Sequence, residues 1–256
     1  MKPADEKAYA VVTGASSGIG WELARELGRR GFNLIIVARR RERLEQLRNE
    51  LLAKHTIDVV VIDMDLGVLD NCHQLHEMTK AYAPTILINN AGFGQYGFST
   101  KIPLDKELEM IRLNIESLHV LTKLYVLSME KGVILNVASM AAFVPTPLLA
   151  SYAATKAYVA SFSRALDYEL GWKKTNIRVL SLCPGPVESE FGLVANARQT
   201  RQALKAAVCA RIAVKGIMKR RPIIIPGALM KIAYVVLKLL PTRWVLPSVF
   251  KIQKHK

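Results

Sequence analysis

The chain has 256 residues, 51% hydrophobic, 22% charged and 7% aromatic, a balance that excludes a disordered or fibrous protein and gives one large domain ample core. Its three cysteines, Cys72, Cys183 and Cys209, fit neither a disulfide framework nor a CxxC metal site, which points to a reducing, cytoplasmic setting. Formal net charge is +15, from 36 basic against 21 acidic residues, and residues 191–256 hold fourteen of the bases and no acid, leaving 22 against 21 elsewhere.

In chain order, Met1 to Lys7 is polar and charged and does not read as a secretory leader. A strand follows at Tyr9–Thr13, then a glycine-rich loop and a helix over Gly18–Arg30. Strand and helix then alternate: Leu34–Ala38, Arg40–Lys54, Val59–Ile62, Val68–Ala81, Ile86–Asn89, Asp105–Glu130, Val133–Ala138, Ser151–Trp172, Ile177–Cys183, Arg198–Met218 and Ile223–Ile225. The strands are continuously apolar, as strands buried on both faces must be. The fold class is therefore α/β, a doubly wound, parallel, seven-stranded sheet of Rossmann type with helices on both faces. Residues 1–227 make up this domain; 228–256 add an apolar helix, Ala228–Leu240, and a basic end, Lys251 to Lys256. At 1.5 Å per residue that helix is about 20 Å long, too short to span a bilayer.

Ligands of such sheets bind beyond the carboxyl ends of the strands. There the first loop reads Thr13-Gly14-Ala15-Ser16-Ser17-Gly18-Ile19-Gly20, with Gly14, Gly18 and Gly20 allowing a tight turn and the amides around Ser16, Ser17 and Ile19 meeting a pyrophosphate at the helix start. A purely structural turn accounts for the glycines equally well. After the second strand, Ala38 stands where an NAD-preferring fold places an acid, while Arg39 and Arg40 offer guanidinium groups to a 2′-phosphate, which favours NADP(H). Arg41 and Arg43 read instead as decoration of the next helix beside Glu42 and Glu45. Asp65, before Leu66, suits an adenine amino group or a helix cap.

Together with Asn89-Asn90-Ala91-Gly92, Asn114, Ser139, Tyr152-Ala153-Ala154-Thr155-Lys156 and Pro184-Gly185-Pro186-Val187-Glu188-Ser189, the loop makes the chain resemble the short-chain dehydrogenase/reductase family from about Tyr9 to Ser189. Tyr152 and Lys156 share a helix face, and a cation beside a phenol lowers its pKa; reaching neutrality takes about three units, which the lysine and an oxidised nicotinamide would supply together. Tyr152 is then general acid or base, Ser139 holds the substrate oxygen, and Lys156 also holds the nicotinamide ribose. The resemblance implies that Asn114 anchors a water-linked proton relay to Lys156. It further implies that Asn90, Ala91, Gly92, Pro184, Gly185, Val187 and Ser189 flank the dinucleotide, and that the helices at 105–130 and 151–172 form a homodimer or homotetramer. Two positions depart from it: Ser17 where NADP-using relatives often carry a base, and Ser189 where a threonine is common.

Apolar segments Gly94–Phe98, Met140–Leu149 and Phe191–Ala207, with Phe93, Tyr96, Phe98, Phe143 and Phe191, are expected to wall a pocket for a hydrophobic carbonyl or alcohol: a long-chain 3-oxoacyl group, a steroid-like ketone or a xenobiotic aldehyde. The helix at 228–240 reads as a lid or subunit contact, or as an interfacial anchor on anionic lipid; the basic residues of 191–256 also suit an acidic carrier. No zinc-finger or RNA-binding motif accompanies them, which speaks against nucleic acid. The function read from the sequence is an NADPH-dependent carbonyl reductase. A non-catalytic NADP(H) sensor or scaffold is the alternative, and intact Ser139, Tyr152 and Lys156 speak against it.

Overall fold

A computed structural model describes residues 8–194 and 203–254. Its elements run β1 (Tyr9–Thr13), α1 (Gly18–Gly28), β2 (Asn33–Ala38), α2 (Arg41–Lys54), β3 (Val59–Asp63), α3 (Leu69–Lys80), β4 (Ile86–Asn89), α4 (Leu104–Ile111), α5 (Leu118–Ser128), β5 (Lys131–Val137), α6 (Ala150–Trp172) and β6 (Asn176–Leu182). Then come the short β7 (Val187–Glu188), α7 (Phe191–Val194) and β8 (Leu204–Lys205), and α8 (Ala206–Met218), β9 (Ile223–Ile224), α9 (Ala228–Leu239) and α10 (Thr242–Lys254). The parallel sheet has seven strands in the order β3-β2-β1-β4-β5-β6-β9. The order reverses between β1 and β4, so a crevice opens at their carboxyl ends.

Side chains alternate across each strand, and both faces are buried. Ala10, Val12, Leu34 and Ile36 pack with Leu23 and Leu27 of α1, Leu47 of α2 and Ala213 and Val214 of α8. Val11, Ile35 and Val37 face the other way, onto Leu75 of α3, Tyr125 of α5 and Leu166 of α6. A satellite cluster joins Met140, Val159 and Ile225 to the inner face of α9 through Met230, Tyr234 and Leu237.

Three features depart from the sequence reading. The helix expected over Asp105–Glu130 is interrupted at Arg112–Ser117 by a π-helical segment. Such a segment slips one extra residue into the spiral and re-aims the side chains that follow. The basic end after Pro241 is not a tail but α10, which tolerates Pro247 inside it. The helix expected over Arg198–Met218 begins at Ala206, after a two-residue strand, β8, that pairs with β7; positions 198–202 lie outside the described residues, as do Met1 to Lys7 and Lys256.

Candidate active site

The glycine loop is fixed by Thr13 and Asn90. Thr13 Oγ1 donates to the Ile88 carbonyl at 3.1 Å and accepts from the Asn90 and Ala91 amides at 2.9 and 3.0 Å. Asn90 Nδ2 donates to the carbonyls of Thr13 and Gly14 at 3.0 and 3.1 Å. Gly14 has φ +64° and Gly18 φ +56°, left-handed values that disfavour a side chain, and a Cβ on Gly14 would lie 2.8 Å from Asn90 Nδ2. A Cβ on Gly20 would meet the Gly14 carbonyl oxygen at 2.3 Å, so α1 presses its start against the loop. Ser17, at the N-cap, makes no side-chain capping bond. Backbone donors are thus gathered at a helix start beneath an open crevice, the chemistry that a pyrophosphate needs.

Gly14, Ser16, Ser17, Gly18, Ile19, Arg39, Arg40, Asp65 and Leu66 line one end of a single cavity of about 670 Å³; Asn90, Ala91, Gly92, Ser139, Tyr152, Lys156, Pro184, Gly185, Val187 and Ser189 line its middle. The adenosine end is polar. Arg40 donates to Ser16 Oγ from Nε and Nη2 at 3.2 and 3.1 Å and pairs with Glu190 at 2.8 Å, while Arg39 stands 3.8 Å from Asp65. Asp65 also accepts from the Gly67 amide at 2.9 Å, a turn contact that leaves it on the cavity wall. Arg41 meets Asp63 at 2.8 Å as well as Glu45 at 4.0 Å, and Arg43 stacks over Trp21 and reaches Glu190 at 3.7 Å, a wider set of partners than the helix neighbours expected.

At the nicotinamide end, Tyr152 and Lys156 project from one face of α6. Lys156 is 5% exposed and donates to the Val137 carbonyl at 2.9 Å, with its ammonium 5.8 Å from the Tyr152 ring centre. Ser139 caps the turn at Met140–Phe143, accepting from the Ala141 amide at 3.1 Å, and keeps its hydroxyl beside Tyr152. Asn114 is fully buried in the π segment, with Oδ1 accepting from the Phe93 amide at 3.1 Å and Nδ2 donating to the Phe93 carbonyl and Thr155 at 2.9 and 3.1 Å. A Cβ on Gly92 would fall 2.7 Å from Asn114 Oδ1 and 3.5 Å from Lys156 Nζ, so these motifs are in close contact.

Burial sets the proton affinities of this pair. Loss of solvent dominates at both groups: it pushes the Tyr152 phenol up to about 12, against a lowering by Ser139, and pulls the Lys156 ammonium down to about 8. Beside Lys156 alone the phenol therefore stays protonated; the lowering expected above needs the oxidised nicotinamide as well.

Beyond Tyr152 the cavity turns apolar. Phe93, Tyr96, Met140, Leu149 and Phe191 line it as expected, and the Phe191 ring lies 5.3 Å from that of Tyr152. Phe98 is instead 55% exposed, and Phe143 turns to Tyr234 of α9 at 4.6 Å. The far wall comes from Met230, Ala233 and Leu237 of α9 and from Val249, Ile252 and Gln253 of α10. Tyr96 anchors α10 by donating to the Gln253 carbonyl. Gln253 Oε1 is buried without a partner among the described residues. Sequence reasoning gave no role to Thr13, Thr155 or Gln253; Thr13 in the glycine loop and Thr155 in the Tyr152–Lys156 motif carried a local signal, Gln253 none.

A phenol, a lysine and a serine hydroxyl at the switch point of a doubly wound sheet, reached by a loop shaped for a pyrophosphate, define an oxidoreductase working on a C=O/CH–OH couple with a nicotinamide dinucleotide. The chain belongs to the short chain dehydrogenase family, whose model matches residues 8–201. It is 32% identical to a very-long-chain 3-oxoacyl-CoA reductase from Anas platyrhynchos, over 97% of this chain and 80% of that protein. It is 33% identical to a very-long-chain 3-oxoacyl-CoA reductase-B from Danio rerio, over 92% and 76%. Among solved structures, a short-chain dehydrogenase from Sphingobium yanoikuyae in complex with NADPH superposes with a TM-score of 0.82 at 28% identity, covering 90% of this chain and 92% of that one.

Proposed function

We propose that the chain reduces the keto group of an apolar 3-oxoacyl thioester to a hydroxyl, with NADPH as reductant. The observation that carries this reading is the position of Tyr152, beside Ser139 and 5.3 Å from the Phe191 ring, where the polar crevice meets the apolar chamber. A protonated phenol is a general acid, as carbonyl reduction requires. A bound NADPH would supply the hydride. Ser139 donates a hydrogen bond to the carbonyl oxygen, Tyr152 delivers the proton to that oxygen, and Lys156 neutralises the charge left on the phenolate. Phe191 and Leu149 exclude water from the reacting carbon, and α9 and α10 enclose the acyl chain. The names of the relatives from Anas platyrhynchos and Danio rerio support a 3-oxoacyl substrate. Arg39 and Arg40, at the adenosine end, support NADPH over NADH.

NADPH oxidation measured against long-chain 3-oxoacyl-CoA, a steroid ketone and a simple aromatic aldehyde tests the substrate class. A kcat/KM highest for the acyl thioester is expected; preference for either of the others overturns the class. Removing both guanidinium groups (Arg39→Ala with Arg40→Ala) is expected to weaken NADPH by roughly 10–100-fold and NADH hardly at all. Equal losses contradict the phosphate assignment.

A further inference from the structure

We propose that the outer faces of α9 and α10 dock this protein onto an anionic membrane surface. The α9 helix has two apolar faces. Met230, Tyr234 and Leu237 point inward, packing in the cluster with Phe143, and Leu237 and Met230 wall the cavity. At 100° per residue, Leu229, Ile232, Val236 and Leu239 fall on the opposite side, and they are 43–77% exposed. Isolated exposed apolar residues are ordinary; an apolar stripe along a whole helix is not. α10 adds Trp244 and Ile252, 62% and 61% exposed.

Charge selects the occupant. Lys231, Lys238, Arg243, Lys251 and Lys254 are all exposed, and no acid lies in either helix. Lys231 and Lys238 stand two turns apart on the flank between the inward and outward apolar faces, where an interfacial helix carries its headgroup contacts. Arg243 lies over the Trp244 ring at 5.7 Å, placing an indole and a cation together at one end of the stripe. A second copy would bring cations against cations, and an acidic protein would match the bases without needing the stripe. A bilayer with anionic headgroups matches both. No helix among the described residues is long and apolar enough to cross a membrane, so the pair lies in the interface plane. Ile252 also lines the cavity, which puts its mouth beside the docking face. Docking does not depend on the reaction proposed above; delivery of an acyl substrate from the bilayer into that mouth does.

Cosedimentation of the full chain with vesicles of phosphatidylcholine alone, or with phosphatidylglycerol added, tests it. At low salt roughly tenfold more protein is expected on the anionic vesicles, and the excess is expected to fall as salt screens the surface. The outward triple variant Ile232→Ser, Val236→Ser, Leu239→Ser is expected to stay in the supernatant while turning over a water-soluble carbonyl at the wild-type rate. Lys231→Gln with Lys238→Gln is expected to bind several-fold more weakly. A blue shift of tryptophan emission on anionic vesicles, absent in Trp244→Phe, reports burial of that ring. No sedimentation at low salt overturns the proposal and leaves the acidic carrier as the partner for the bases. Equal binding to neutral and anionic vesicles overturns the role given to the cations. Self-association abolished by the triple variant, without vesicle binding, overturns it in favour of a second copy.

Discussion

Lys156 is a cation held almost out of water, and loss of solvent lowers its proton affinity at a cost to the fold. Its folded-state value, about 8, lies below the 10.5 of a free lysine, so between those limits the folded chain binds fewer protons than the unfolded one. The penalty is full below pH 8 and disappears as pH rises towards 10.5. Lys156→Met, apolar and similar in length, removes the buried charge but leaves the Val137 carbonyl without this donor, and is expected to stabilise the protein at pH 7 by about 1 kcal/mol, seen as a raised denaturant midpoint, while abolishing turnover. The gain should shrink between pH 8 and 10.5; a destabilised variant would mean that the ammonium holds the fold together. In the wild type, reductive turnover is expected to be level below pH 8 and to fall above it as the ammonium loses its proton. Tyr152 and Lys156 were both legible in the sequence, not from their four-residue spacing alone but from that spacing within the set of motifs that resembles the family. The depth of their burial was not, because spacing reveals a neighbouring charge but not how much water the fold removes.

A buried polar chain ties β4, β5, α5 and α6 together. Asn89 Nδ2 donates to Asn136 Oδ1 at 2.9 Å and to Thr122 Oγ1 at 3.1 Å, and Asn136 Nδ2 donates to Ser163 Oγ at 2.9 Å. Further along α6, Asp167 grips Arg178 of β6 in two bonds of 2.7 and 2.8 Å. These contacts set the height of α6, and hence of Tyr152 and Lys156, above the sheet. Asn136→Val removes one acceptor of the Asn89 amide, the acceptor of the Thr122 hydroxyl and the donor to Ser163, and is expected to cost about 2–4 kcal/mol in urea unfolding. A change under about 0.5 kcal/mol would show that the network does not hold the helix. All seven strands of the main sheet were readable because burial on both faces leaves an apolar run in the sequence. The π segment, the asparagine chain and α10 were not, since each depends on partners distant along the chain. Asn114 looks like an ordinary helix residue until the fold brings Phe93 and Thr155 against it. Pro247 and the charges around it hid the last helix.

At the scale of the whole molecule, the faces left apolar indicate what the chain meets. Tyr158, Tyr168 and Trp172 lie on one side of α6 and are 36%, 74% and 80% exposed, with Leu127 of α5 at 78%. We propose that this surface is a two-fold dimer seam, burying on assembly what a monomer leaves in water. Light scattering on purified protein is expected to give twice the chain mass, and Tyr168→Arg with Trp172→Arg the mass of one chain. A monomeric wild type rules the seam out. The seam and the α9–α10 face are carried by different helices, so the two surfaces can be tested separately. Within each chain, the cavity runs from Arg39 through Tyr152 to Gln253, which makes its polar end and its apolar chamber one continuous space.

The most direct test of the proton donor is single-turnover reduction of a long-chain 3-oxoacyl-CoA by Tyr152→Phe. The variant keeps the ring against Phe191 and removes only the hydroxyl, so NADPH affinity should match the wild type while the reduction rate falls by about 10²–10⁴-fold. Reduction at the wild-type rate with NADPH bound would contradict the assignment of Tyr152 as the acid.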